Sequence, residues 1–133
     1  MAAKLGIKGG HLVVVLHAPN DFDATLGELP DGAAITSPKR PPARADVAIA
    51  FYTERARFES ELPSLEAAIF PEGGLWVGWP KKSSKIPTEV NEDVVRELAL
   101  PRGLVDNKVC AIDDVWSGLR VVWRVERRAT PPR

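Results

Sequence analysis

Cysteine is almost absent from the chain, and the single residue of that type, Cys110, rules out an internal disulfide and points to a reducing compartment. Excess charge is missing as well. Lys plus Arg and Asp plus Glu stand at 18 each, so there is no overall pull toward nucleic acid or an anionic membrane. Long apolar runs are lacking: the longest, Leu12 to Leu16, falls far short of the roughly 20 residues that span a bilayer. The opening MAAKLGIKGG has too short an apolar stretch for a secretory signal. These readings predict a cytoplasmic protein with no membrane partner. Histidine is scarce too. His11 and His17 stand about 20 Å apart in an extended strand, so they cannot share a metal, and no metal site is expected.

What is present is the composition of a globular domain, 44% apolar and 27% charged over 133 residues. A chain of this length buries about two thirds of its unfolded surface without a staple. The pattern divides into one domain over 1–126 and a Pro- and Arg-rich tail over 127–133 that is expected to fray.

The strands His11 to Ala18, Asp46 to Thr53 and Leu75 to Trp79 are apolar on both faces, the mark of buried parallel strands. Ala33 to Ser37 is a weaker candidate, an edge strand or none at all. Ser37 to Arg44 holds three prolines and reads as a loop. Lys108 to Asp113 and Leu119 to Glu126 read as a closing hairpin around Asp114 to Gly118. Phe58, Leu62, Leu65 and Ile69 recur at helical spacing within Glu54 to Phe70, where Pro63 predicts a kink or two short helices. A second helix runs from Glu89 to Leu100, capped by Thr88 or Asn91 and stopped by Pro101 with Gly103. The expected fold class is therefore α/β and Rossmann-like. It has a mostly parallel sheet of about five to six strands with right-handed crossovers and a C-terminal antiparallel hairpin.

Asp46 at the head of a buried strand, the helix Glu54 to Phe70 and the turn Pro71-Glu72-Gly73-Gly74 resemble the second half of a class I, S-adenosylmethionine-dependent methyltransferase, and the closing hairpin is similar to that family's last two strands. That resemblance implies methyl transfer with a bound nucleoside cofactor. The chain departs from it where the cofactor is held: the first strand runs into His17-Ala18-Pro19-Asn20-Asp21 instead of a Gly-rich turn, and Ser37-Pro38-Lys39-Arg40 stands where an acid is expected. The whole chain is also similar to a family of short, uncharacterised bacterial proteins through Lys4 to Lys8, Phe22 to Gly27, Trp79 to Lys82 and Leu104 to Asp113. That family brings no activity with it.

Open parallel sheets bind ligands at the carboxyl ends of their strands. That edge is expected to gather His17, Asn20, Thr53, Trp79, Lys81, Lys82, Ser83 and Ser84, the lysines and hydroxyls suiting a phosphate or carboxylate. Cys110, among apolar neighbours, reads as a small hydrophobe. Trp116 at the hairpin tip is a candidate partner contact, with homodimerisation through the hairpin as the expectation. Arg120 and Arg124 share a strand face, but no aromatic stacking pattern accompanies them, which argues against nucleic acid. The expected function is a non-catalytic module with no cofactor that binds a small anionic metabolite or a protein partner. The alternative is a divergent methyltransferase, or another small enzyme at the same edge.

Overall fold

The structure, a computed structural model, describes residues 1–129. Strands β1 (Leu12–Leu16), β2 (Ala34–Thr36), β3 (Val47–Phe51), β4 (Gly74–Pro80), β5 (Leu104–Ala111) and β6 (Trp116–Trp123) form one six-stranded sheet in the order β2-β1-β3-β4-β6-β5. β2, β1, β3 and β4 are parallel, and β6 and β5 run antiparallel as the closing hairpin. The apolar runs of β1, β3 and β4 make them the buried centre of the sheet, as their two-sided hydrophobicity requires.

Two layers cover the sheet. On one face α2 (Arg55–Ile69) and α3 (Glu92–Ala99) bury Phe58, Leu62, Leu65, Ile69 and Val95 against Val14, Leu16, Ala50, Leu75 and Val77. On the other face the N-terminal segment and α1 (Phe22–Leu26) bury Leu5, Ile7, Phe22 and Leu26 against Val15, Ile49, Phe51 and Trp76. The Trp76 indole N–H donates to the Leu5 carbonyl at 2.8 Å, which removes the one polar cost of burying that ring.

Several local expectations change. α1 was not anticipated, because five residues are too few to show a helical period. α2 is one continuous helix through Pro63, which lies on its exposed side, where water can take the place of the lost hydrogen bond. The hairpin is displaced toward the N-terminus: Trp116 to Gly118 belong to β6, and the connection is 112–115. β5 is an exposed edge strand, so Val109 is half exposed and Cys110 is only partly covered, rather than buried on both faces. The strand Ala34–Thr36 exists, as an edge strand beside β1. Val125–Arg127 form a single 3₁₀ turn, while 130–133 of the predicted tail lie outside the described residues.

Candidate functional site

Chain direction picks out one point on the carboxyl rim. From β1 the chain moves outward to β2, and from β3 it moves the opposite way to β4, so the crevice opens between the carboxyl ends of β1 and β3. Those ends are His17 and Tyr52-Thr53. A cavity of about 160 Å³ lies there, lined by His17, Tyr52, Thr53, Arg57 and Trp116 among others.

His17 leaves β1 with φ 58°, in the left-handed region usually given to glycine. That backbone turns the imidazole toward α2, where Nε2 lies 2.8 Å from Glu61 Oε1. The Tyr52 hydroxyl donates to the same oxygen at 2.5 Å, and the two rings meet edge to face with centroids 5.5 Å apart. Arg57, one turn earlier on α2, brings its Nε to 3.8 Å from Glu61 Oε2. Glu61 is three residues beyond Phe58, so it borders the apolar stripe of α2 and reaches the rim instead of solvent. With Glu61 ionised, the carboxylate can only accept. The imidazole proton is then on Nε2, and Nδ1 is the nitrogen left for a ligand. Burial, with the hydrogen bond and charge of Glu61 added, pushes the Tyr52 phenol far above its ordinary range, so it stays protonated as a donor.

The predicted site residues do not all converge. His17 and Thr53 line the crevice, and Trp116 joins them. Trp116 is packed edge to face on Phe51 at 5.2 Å, so it serves as a wall of the crevice as well as the start of β6. Trp79 is 7% exposed and points into the helix-side core, away from any ligand. The Lys81 ammonium donates to the Asp113 carbonyl at 2.7 Å and so braces the hairpin. The Ser84 hydroxyl donates to the Lys81 carbonyl at 2.6 Å, closing the turn Lys82–Ser84 on itself. Lys82, Ser83 and Asn20 are exposed on the same rim and do not line the crevice. Tyr52, Arg57 and Glu61 went unnoticed in the sequence. Their signal was an acid and a base on the core-bordering side of α2, opposite the aromatic that follows β3.

Among the described residues no group of three or more His, Cys, Asp or Glu side chains could hold a metal ion. None of the described helices is long and apolar enough to cross a membrane.

No family profile and no curated protein matches the chain. Solved structures do. A SAM-dependent methyltransferase from Aquifex aeolicus is 15% identical, with a TM-score of 0.61 over 90% of this chain and 85% of that one. The magnesium protoporphyrin IX methyltransferase of Synechocystis, solved with bound SAH, is 9% identical, with a TM-score of 0.60 over 92% of this chain and 78% of that one. The chain thus has the class I methyltransferase fold, as its sequence predicted.

The residues at the end of β1 do not fit the nucleoside cofactor that this fold implies. The His17 imidazole is held on Glu61 and Tyr52 inside the crevice where bare backbone is required. Pro19 has no N–H to offer, and α1 is too short to present a helix terminus. The space left is well under the roughly 300 Å³ at the small end of clefts for drug-sized ligands.

Proposed function

We propose that this chain is a methyltransferase-fold module that binds a compact anionic metabolite at the crevice between β1 and β3, without S-adenosylmethionine and without catalysing methyl transfer. The observation that carries this reading is the His17–Glu61–Tyr52 cluster, which narrows the switch point to a small polar crevice with fixed side chains. Arg57, with its side chain 52% exposed and only loosely paired, is the guanidinium for the anionic group. His17 Nδ1 accepts a hydrogen bond from a hydroxyl or amine on the ligand. The exposed Lys82 on the same rim adds charge that attracts anions to the mouth. A thermal-shift screen of small anionic metabolites tests the proposal. At least one compound is expected to raise the midpoint in the unaltered chain and to lose that effect in Arg57→Ala. A screen with no stabilising compound would retire it.

A second reading, a divergent S-adenosylmethionine-dependent methyltransferase, draws support from the fold likeness over 90% of the chain. It requires His17 to swing out of the crevice. It therefore expects S-adenosylmethionine to bind His17→Gly more tightly than the unaltered chain, whereas the first reading expects neither to bind.

A further inference from the structure

The opposite rim of the sheet holds a larger cavity, about 350 Å³, where the N-terminal segment, the entry to β3 and the turn into β4 meet. Its walls carry Lys8, His11, Arg44, Asp46, Glu72 and Arg120. Arg120 sits in β6 opposite Trp76, and its guanidinium lies flat on Gly74: a Cβ at position 74 would come within 2.6 Å of both Nε and Nη2. The bare strand is what lets the charged group lie there. Arg120 Nε is buried and has no hydrogen-bond partner among the described residues. A buried donor left unpaired costs free energy that folding alone does not repay, so such a group calls for a partner.

The carboxylates nearby do not supply it. Asp46 accepts from the Leu12 N–H at 2.7 Å through one oxygen and from Arg44 Nη2 at 3.1 Å through the other, and it makes no hydrogen bond to Arg120 Nε. Glu72 is exposed and makes no hydrogen bond to Arg120 Nε. His11 Nδ1 accepts the Lys8 backbone N–H at 3.1 Å, which leaves Nε2 as the protonated nitrogen, a donor for the cavity. The cavity therefore presents the Arg120 guanidinium with an unpaired Nε–H, a lysine and an imidazole N–H, beside the paired Arg44 and Asp46 and the exposed Glu72.

We propose that this amino-rim cavity is a ligand site separate from the carboxyl-rim crevice, taking a small oxyanion, a carboxylate or phosphate group, on the Arg120 guanidinium with His11 and Lys8 as further donors. Burial, and secondarily the charge of Arg128, depress the proton affinity of Arg120, and a bound oxyanion offsets both effects. The oxyanion replaces the missing acceptor at Nε, and the guanidinium fork suits its paired oxygens.

The test uses the full chain and two probes, inorganic phosphate and malonate, titrated by calorimetry at low ionic strength. Saturable binding of either probe is expected, weakened about tenfold or more in Arg120→Gln. Glu72→Gln, which removes an exposed acid at the mouth, is expected to strengthen binding, and Lys85→Asn, a change of an exposed cation on the opposite, carboxyl rim, to leave it as it was. Phosphate without malonate, or the reverse, identifies which oxyanion the cavity takes. In parallel, the Arg120 Nε–H resonance of the unaltered ¹⁵N-labelled chain is expected to shift on titration, a readout that needs no variant to fold. Absence of saturable binding by both probes, an unmoved Nε–H resonance, or equal binding by Arg120→Gln would each overturn the proposal.

Discussion

Glu61 links three side chains at the candidate site, and its removal is the most informative single change. Glu61→Ala strips the acceptor from His17 and Tyr52 together and is expected to cost about 2 kcal/mol, read as a lowered urea midpoint with unchanged slope. Tyr52 gives a pH signature. Its phenol is raised above the unfolded value near 10.0, so the contribution to stability is fully present below that pH. Above it the unfolded chain ionises and the folded chain does not, and stability falls by about 1.4 kcal/mol per pH unit. Tyr52→Phe is expected to lessen the alkaline loss by that slope. Because Tyr52 is the only tyrosine, its ultraviolet titration is free of overlap. At Cys110 burial raises the thiol against the opposing charges of Lys4 and Lys108, so alkylation is expected to accelerate at a higher pH than for an open thiol. At this scale the sequence was only partly readable. His17 and Thr53 follow from their place at strand ends, and the structure puts both in the lining of the crevice. Glu61 and Arg57 do not follow, because only the packing of α2 on the sheet shows which surface residues of a helix reach its rim. Lys81 and Ser84 lie outside the crevice for the converse reason: their polar groups donate to the carbonyls of Asp113 and Lys81, and such bonds leave no sequence trace.

The elements were legible where burial is two-sided or periodic, as in β1, β3, β4, α2 and α3. Asn91, one of two candidate caps for α3, accepts the Val94 N–H at 2.9 Å. Asn91→Ala is expected to lower stability by about 1 kcal/mol. The longer-range tether of α2 is the paired contact of Arg102 with Glu66, both bonds at 2.7 Å, and Glu66 is only 6% exposed. Removing Arg102 leaves a buried carboxylate, so Arg102→Ala is expected to cost about 2 kcal/mol, the guanidinium itself being partly in water. The hairpin register escaped the sequence because alternation there is interrupted by the irregularity between Asp106 and Lys108, which breaks the period of two. Val125, within the expected arm Leu119 to Glu126, is 73% exposed because the strand ends at Trp123 and the chain turns away.

At the scale of the whole molecule, two-sided apolar strands and a closing hairpin indicate an α/β class, which the structure bears out, while the spatial order of the strands comes from the structure. What the fold leaves open is decided by a few side chains on its two rims. On the carboxyl rim His17 stands where a methyltransferase sheet offers bare backbone. On the amino rim Gly74 stands where a side chain would displace Arg120. The two rims lie at opposite ends of the parallel strands, so substitutions at Glu61 and Arg120 are expected to add independently in a double mutant. The central claim, that fixed side chains narrow the crevice between β1 and β3 so that it does not take the nucleoside cofactor, is tested most directly by calorimetric titration of S-adenosylmethionine into the unaltered chain. The account expects no saturable heat up to about 1 mM. A one-site isotherm with Kd below about 100 μM, near −5.5 kcal/mol, would contradict it.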